Sequence, residues 1–421
     1  MNWQLNSISG KEWNTMCAGT LAFFFDAWDA FLLIYVLSDI AGTFHLSMGT
    51  ASLALMFTYM SRWLGGVLLG GISARYGRRT SLVVAIVICG VFTMLTAAAS
   101  SFVILLVLRL AFGIGMGGLY AAAGPLVMES VPAKVRGFAS GFFMFGFYVG
   151  TVLAPWTYVW LQPHFGWRSI FCLGGISLLQ IPYVLLTVDE SPVWLARRDE
   201  LKKSVGGPNQ LKPTPIWRLF TNEYLVITLS LLAVEFGVFF DAYPFQSILP
   251  TFLKAGRQFS GQQVAFASSM IGVGALVGSV IGGIVSDRIG RKWTFAAAFV
   301  LAVGPTSVGV LAHHPPTVTL ASFLNGMLFG TMGGLLTAFE NEHYPTDLRA
   351  VGNGLLHNLG SFAGSMGAVI AAYLQAAMGY PLTIVLIAAA GACLGLVGLR
   401  FTHETRNTSL DHMENSSIPP L

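Results

Sequence analysis

The sequence predicts an all-α membrane protein: twelve transmembrane helices in two pseudo-symmetric six-helix bundles. Of its 421 residues 54% are hydrophobic and only 10% charged, against roughly 25% charged in soluble domains. Apolar runs of about 20 residues, the length that crosses a bilayer core of roughly 30 Å as helix, recur along the whole chain. The chain also repeats itself. Gly77-Arg78 returns as Gly290-Arg291, Glu129-x-x-Pro132-x-x-x-Arg136 returns as Glu342-x-x-Pro345-x-x-x-Arg349, and Gly113 and Gly117 return as Gly326 and Gly330, each displaced by 213 positions. A displacement held over three landmarks marks a duplicated half.

In order, spans are expected over 19–40, 50–72, 80–100, 102–128, 138–160 and 169–188, then over 224–250, 263–285, 293–312, 317–340, 351–376 and 381–401. Residues 1–190 then form an N-terminal bundle and 223–402 a C-terminal bundle. Between them, 191–222 is a cytoplasmic connector, with Arg197-Arg198-Asp199-Glu200 and Gly206-Gly207-Pro208 giving a composition that cannot bury itself. Residues 403–421 are expected to be a disordered polar cytoplasmic tail. The start of the chain lacks the basic residues and small-residue cleavage site of a signal peptide, so the first span is expected to be retained.

Positive residues are held on the cytoplasmic side of a membrane. With both termini inside, Arg168, Lys254 and Arg257 fall outside, Arg62 and Arg109 fall within spans, and the remaining basic residues are cytoplasmic. The net charge of +4 thus follows topology, and no basic patch interleaved with aromatics points to nucleic acid. Cys17, Cys89, Cys172 and Cys393 stand singly, without metal or disulfide spacing, and read as packing residues. Pairs such as Gly66/Gly70, Gly113/Gly117, Gly146/Gly150 and Gly326/Gly330 let helix backbones approach closely.

Gly77 or Gly290 ends a helix tightly, and neighbouring arginines can reach acids on adjacent helices. Contacts of Arg75 and Arg78 with Glu129, and of Arg288 and Arg291 with Glu342, are expected to latch the cytoplasmic ends, with Arg136, Asp287 and Arg349 in the same gate. The alternative is that the basic residues only set topology. This doubled turn, after the second and eighth spans, resembles the signature loop of the major facilitator superfamily. The loop's usual acid is present as Asp287 and replaced by Ala74 in the first copy.

Finer resemblances follow. Asp189-Glu190-Ser191-Pro192 is similar to the E-S-P segment after the sixth span in several organic-solute families of the superfamily. Phe24-Phe25-Asp26-Ala27-Trp28-Asp29 resembles the D-G-F-D segment of the sialate:proton symporter family and of the aromatic-acid:proton symporters. Ser61-Arg62-Trp63, the run Tyr243–Leu253 and Asn358-Leu359-Gly360 favour the sialate:proton symporter family, whose members carry sialic acid or lactate and pyruvate. The resemblance covers residues from about 11 to 400. It implies that the first and seventh spans line a central cavity, and that the protein sits in a bacterial cytoplasmic (inner) membrane.

An ionised group at the bilayer centre costs at least roughly 2.5–3.5 kcal/mol, so it stays where it meets water, a ligand or a partner. Asp26 and Asp29 lie three apart on one helical face. Arg62 is midway along the second span, Arg109 seven residues into the fourth, and Glu235 and Asp241 lie in the seventh. Phe239-Phe240-Asp241 echoes Phe24-Phe25-Asp26, which pairs Asp241 with Asp26 across the repeat. Arginine is always charged and its planar fork fits a carboxylate, so Arg109, with Arg62 second, is the expected anchor for an anionic substrate. Tyr120, Tyr148, Tyr243, Gln246 and Asn358 are candidates to line the cavity, with ordinary packing as the alternative. Asp26, Asp29, Asp241, Glu235 and His357 are the candidate proton carriers. Permanent ion pairing inside a bundle is the competing reading for Asp26, Asp29, Arg62 and Arg109.

The expected function is proton-coupled uptake of a small organic acid by alternating access, the acid being lactate, pyruvate or sialic acid. Other solutes of the same fold (an aromatic acid, a sugar or a drug) are the alternative, as is a non-transporting sensor. The fifth span lacks the G-P-x-x-G-G arrangement of drug:proton antiporters, which favours uptake. No nucleophile–base set, metal spacing or phosphate loop points to an enzyme. The expected partners are the organic anion, the proton and the lipid bilayer, with no cofactor or metal and with the monomer as the functional unit.

Overall fold

A computed structural model describes residues 8–46, 48–51, 53–203 and 216–406. Among these residues all regular structure is helical. The N-terminal half holds α1 (Gly10–Tyr35), short α2 (Leu37–Thr43) and α3 (Met48–Ala51), α4 (Leu53–Tyr76), α5 (Arg78–Ala97), α6 (Phe102–Ser130), α7 (Arg136–Gly174) and α8 (Gln180–Thr187). Helix α9 (Pro192–Lys203) opens the connector. The C-terminal half holds α10 (Leu225–Gly256), α11 (Gly261–Ile289), α12 (Arg291–Leu311), α13 (Pro315–Asn341), α14 (Thr346–Met378) and α15 (Tyr380–Arg400).

The helices begin and end where their residues dictate. Ser9 and Glu12 form a capping box at the start of α1, the Glu12 N–H donating to Ser9 Oγ at 3.3 Å and the Ser9 N–H to Glu12 Oε2 at 2.6 Å. Ser260 and Gln263 do the same for α11. Gly77 and Gly290, at φ 107° and 108°, let one helix stop and the next start within a single residue, a backbone region that side chains disfavour. The fifth and sixth spans, expected as separate helices, are two helices that meet directly at Gly166, φ 71°, with a 3-10 turn before α8. A loop is unnecessary because one left-handed glycine reverses the chain at the membrane edge.

Eleven described stretches are long and apolar enough to cross a membrane. Helix α14, which covers the expected eleventh span, is 33 residues long and carries Asn353, His357, Asn358 and Ser361 on a buried face. Large apolar side chains such as Leu68, Trp160, Leu186 and Val300 point outward, as they do where acyl chains are the solvent. Within each half, glycine draws helices together. A Cβ on Gly117 of α6 would lie 1.8 Å from the Arg62 carbonyl of α4, and one on Gly330 of α13 would lie 2.2 Å from the Ala275 carbonyl of α11. These are repeat-related positions doing the same work.

The two halves meet along two seams. Gly66 and Gly70 of α4 rest on Ala350, Val351, Gly354 and Asn358 of α14, and Gly137 and Gly141 of α7 rest on Ser279 and Gly283 of α11.

Candidate functional site

At the end of the bundle where the basic residues gather, the charges form one buried network that crosses both seams. Glu129 of α6 accepts from Arg78 Nε and Nη2, both at 3.2 Å, and from Arg349 Nη1 of the other half at 2.7 Å. Glu342 accepts from Arg136 Nη1 of the N-terminal half at 3.1 Å and from Arg291 Nη2 at 3.4 Å. Arg78 Nη2 also reaches the Thr346 carbonyl across the seam at 2.6 Å. Asp287 accepts from Arg291 Nη1 at 2.6 Å and takes the N–H groups of Gly137 and Phe138, each at 2.9 Å, so a C-terminal-half acid caps an N-terminal-half helix. In the first copy Ala74 leaves that post vacant. Helix α14 begins as regular helix at Thr346, whereas α7 is preceded by the 3-10 turn Ala133–Val135.

Arg75 and Arg288 do not join the network. Both are exposed, Arg75 lying over the Tyr76 ring at 5.1 Å. The helix face that packs at this end carries Ser73 or Ser286, so an arginine two residues on points to solvent.

Two further acids and two hydroxyls belong here. Glu190 Oε1 accepts the Arg78 N–H at 2.7 Å, and Glu404 Oε1 accepts the Arg291 N–H at 2.8 Å, each capping the helix after its glycine. Ser191 donates to Glu129, and Thr405 donates to Glu342 at 2.6 Å. Glu190-Ser191 and Glu404-Thr405 are therefore one motif in both halves. The second copy lies in the stretch expected to be a disordered tail, displaced by 214 positions, one more than the rest of the repeat. His343 and His403 pack beside these groups with centroids 4.4 Å apart and rings tilted by 51°, and burial together with the His403 neighbour pushes His343 down to about 3.

Nearer the opposite end of the bundle, the expected anchor Arg109 is fully buried inside the N-terminal half. Its Nη1 donates to Asp29 Oδ2 at 3.0 Å, Nε and Nη2 donate to Thr96 Oγ1 at 3.2 and 2.8 Å, and Nη2 also reaches Thr93 Oγ1 at 3.4 Å. The rings of Phe112 and Phe171 cover its faces. Every nitrogen of Arg109 is thus engaged between helices of one half in this conformation, the geometry of the competing ion-pair reading. Asp26 and Asp29 line a small crevice of about 10 Å³ with Cys89, Thr93, Ser177 and Gln180. Asp241 is buried beside Gly391 of α15 within the other half.

Arg62 is the arginine at the seam. It is 4% exposed, its Nε and Nη2 have no hydrogen-bond partner, and it lies within electrostatic range of Asp26, Tyr243 and His357. One turn away, Gly66 touches Asn358, whose Nδ2 donates to the Gly354 carbonyl and whose Oδ1 is unpartnered. His357 stacks flat on Tyr120 of the other half, centroids 3.9 Å apart at 10°, with its Nδ1 3.4 Å from Glu235 Oε1. Tyr120 Oη and Thr337 Oγ1 share a hydrogen bond of 3.0 Å across the halves. Tyr148 packs on Phe329 with its hydroxyl unpartnered, Tyr243 packs on Phe239, and Gln246, further along α10, keeps an unpartnered Nε2.

Two buried polar residues at this level were not singled out from the sequence. Glu340 is 1% exposed and lies in electrostatic range of Glu235 and Tyr120. It is the last residue of its expected span, where an acid reads as an ordinary membrane boundary. Asn353 of α14 is fully buried with both amide atoms unpartnered.

The family model described as the Major Facilitator Superfamily matches residues 19–255 and 231–415. The chain belongs to that superfamily. As a major facilitator it is a multi-pass membrane transporter of small solutes. It is 28% identical to the sialic acid transporter NanX of Escherichia coli strain K12, over 93% of this chain and 95% of the relative. It is 26% identical to the cis,cis-muconate transport protein of Acinetobacter baylyi, over 96% and 97%. It is also 25% identical to the niacin transporter NiaP of the same bacterium, over 85% and 86%. The solved structure of the proton:xylose symporter XylE bound to 6-bromo-6-deoxy-D-glucose superposes with a TM-score of 0.77 at 19% identity, covering 97% of this chain and 99% of that one, a likeness of fold.

Proposed function

We propose that this major facilitator carries a small organic acid together with a proton, by alternating access, across a bacterial cytoplasmic membrane, working as a monomer with its basic end and both termini in the cytoplasm. The observation that carries the reading is Arg62: a buried guanidinium at the seam whose Nε–Nη2 edge has no partner. That edge presents two parallel N–H groups, the geometry that grips a carboxylate bidentately. A guanidinium edge without a hydrogen-bond partner so far from water is costly to hold, and a bound anion offsets that cost. The relatives named for sialic acid, muconate and niacin all carry solutes with a carboxyl group.

Proton coupling follows from competition for the arginine. Asp26 lies in range of Arg62. When Asp26 takes a proton it no longer draws on the guanidinium, and the substrate carboxylate binds in its place. Each ligand then strengthens the other by the same factor. The Glu235–His357 pair beneath the site and the Asp29–Arg109 pair behind it are the further proton-accepting groups in this scheme.

The network at the basic end joins the two halves in the conformation described, and its opening is the step that gives the site to the cytoplasm. Purified protein in vesicles tests the reading. Uptake of labelled lactate, pyruvate, sialic acid and benzoate is measured with and without an inward proton gradient. Gradient-driven uptake of at least one acid, lost in Arg62→Lys, is expected. Uptake indifferent to the gradient removes the coupling, and full activity in Arg62→Lys removes the anchor.

A further inference from the structure

We infer that the acid selected at this site carries a flat ring: an aromatic or heteroaromatic monocarboxylate, in preference to a polyhydroxylated sugar acid or a three-carbon acid. This rests on the proposed role of Arg62 as the carboxylate anchor.

The halves meet beside Arg62 through ring faces. His357 of α14 and Tyr120 of α6 lie nearly parallel across the seam with centroids 3.9 Å apart. Phe23 sits 5.6 Å from Tyr120 and Phe239 sits 5.6 Å from His357, closing the sides of that stack. Phe329 continues the wall, 6.0 Å from Tyr148 and 6.5 Å from Tyr243. When the halves part, two parallel faces separate, and a planar ring is the shape that refills the gap with contact on both sides. A saturated ring of the same carbon count is thicker and loses the face-to-face geometry.

A sugar acid brings a saturated ring, which likewise loses that face-to-face contact. A three-carbon acid satisfies Arg62 but leaves the ring faces uncovered.

Equilibrium binding to the purified full chain tests this with benzoate, nicotinate, cyclohexanecarboxylate, lactate and N-acetylneuraminate. Benzoate or nicotinate is expected to bind about tenfold or more tighter than cyclohexanecarboxylate, and tighter still than lactate or N-acetylneuraminate. Tyr120→Leu should bring the benzoate and cyclohexanecarboxylate affinities together, Tyr120→Phe should keep them apart, and Arg62→Lys should weaken both alike. Cyclohexanecarboxylate, lactate or N-acetylneuraminate binding as well as benzoate overturns the ring preference while leaving the carboxylate reading intact. Failure of every acid to bind the wild-type chain overturns both. The ligand series on the wild type decides even where a variant does not fold.

Discussion

Each nitrogen of the Arg109 guanidinium donates a hydrogen bond within the N-terminal half, whereas Arg62 keeps its Nε–Nη2 edge disengaged at the seam. The two should therefore respond differently to loss of charge. Arg109→Met strands Asp29 as a buried unpaired carboxylate and is expected to cost about 3–5 kcal/mol of stability, read as a lowered melting temperature in detergent. Arg62→Met breaks no hydrogen bond of the Nε–Nη2 edge and should leave the melting temperature nearly unchanged while abolishing acid binding. At the basic end, His343 is held neutral by burial with its proton affinity pushed down to about 3. An unfolded histidine takes its proton near 6.5, so between those values the unfolded state binds more protons and stability falls as pH drops below about 6.5. His343→Gln should flatten that acid limb in thermal melts across pH 5–8. In the sequence both are arginines in apolar runs, and only packing reveals which one keeps a guanidinium edge without a hydrogen-bond partner.

Glycine governs the helices. Gly354 of α14 lies so close to α4 that a Cβ there would fall 2.8 Å from the Gly66 carbonyl and from the Ala121 Cβ. Gly354→Leu is thus expected to wedge the seam and prevent the closed basic end, which would appear as lost transport with expression retained. Most of this level was legible from the chain. Helix positions, the doubled turn and the small-residue contacts follow from apolar runs and from a repeat of 213 positions, because bilayer thickness and backbone hydrogen bonding leave few alternatives. What stayed hidden depends on direction around a helix. Arg75 and Arg288 sit in the right turn on the wrong face, and Glu404 and Thr405 repeat Glu190 and Ser191 in a segment too polar to look structured.

Across the whole molecule, Glu129 and Glu342 each bind arginines from both halves. Removing one such charge strands its buried partners at a cost of about 3–5 kcal/mol, so Glu129→Gln should shift the closed-to-open ratio of the basic end by about a hundredfold or more. Spin labels at Arg75→Cys and Arg288→Cys, exposed and on opposite halves, would report it as a longer distance. An unchanged distance distribution would show that the network does not hold the halves shut.

Asp287 clasps the backbone of Gly137 and Phe138, whereas Ala74 offers its opposite number nothing. One flank of the gate is clasped twice by that acid, and the other is held by glycine contacts and the single Arg78 bond to the Thr346 carbonyl. The swing is then lopsided, with α7 and α11 as the pivot and α4 peeling from α14 as the free margin. Arg62 stands on that margin, so the first crack to admit cytoplasmic water should run past the cargo's charged head, and release should begin there.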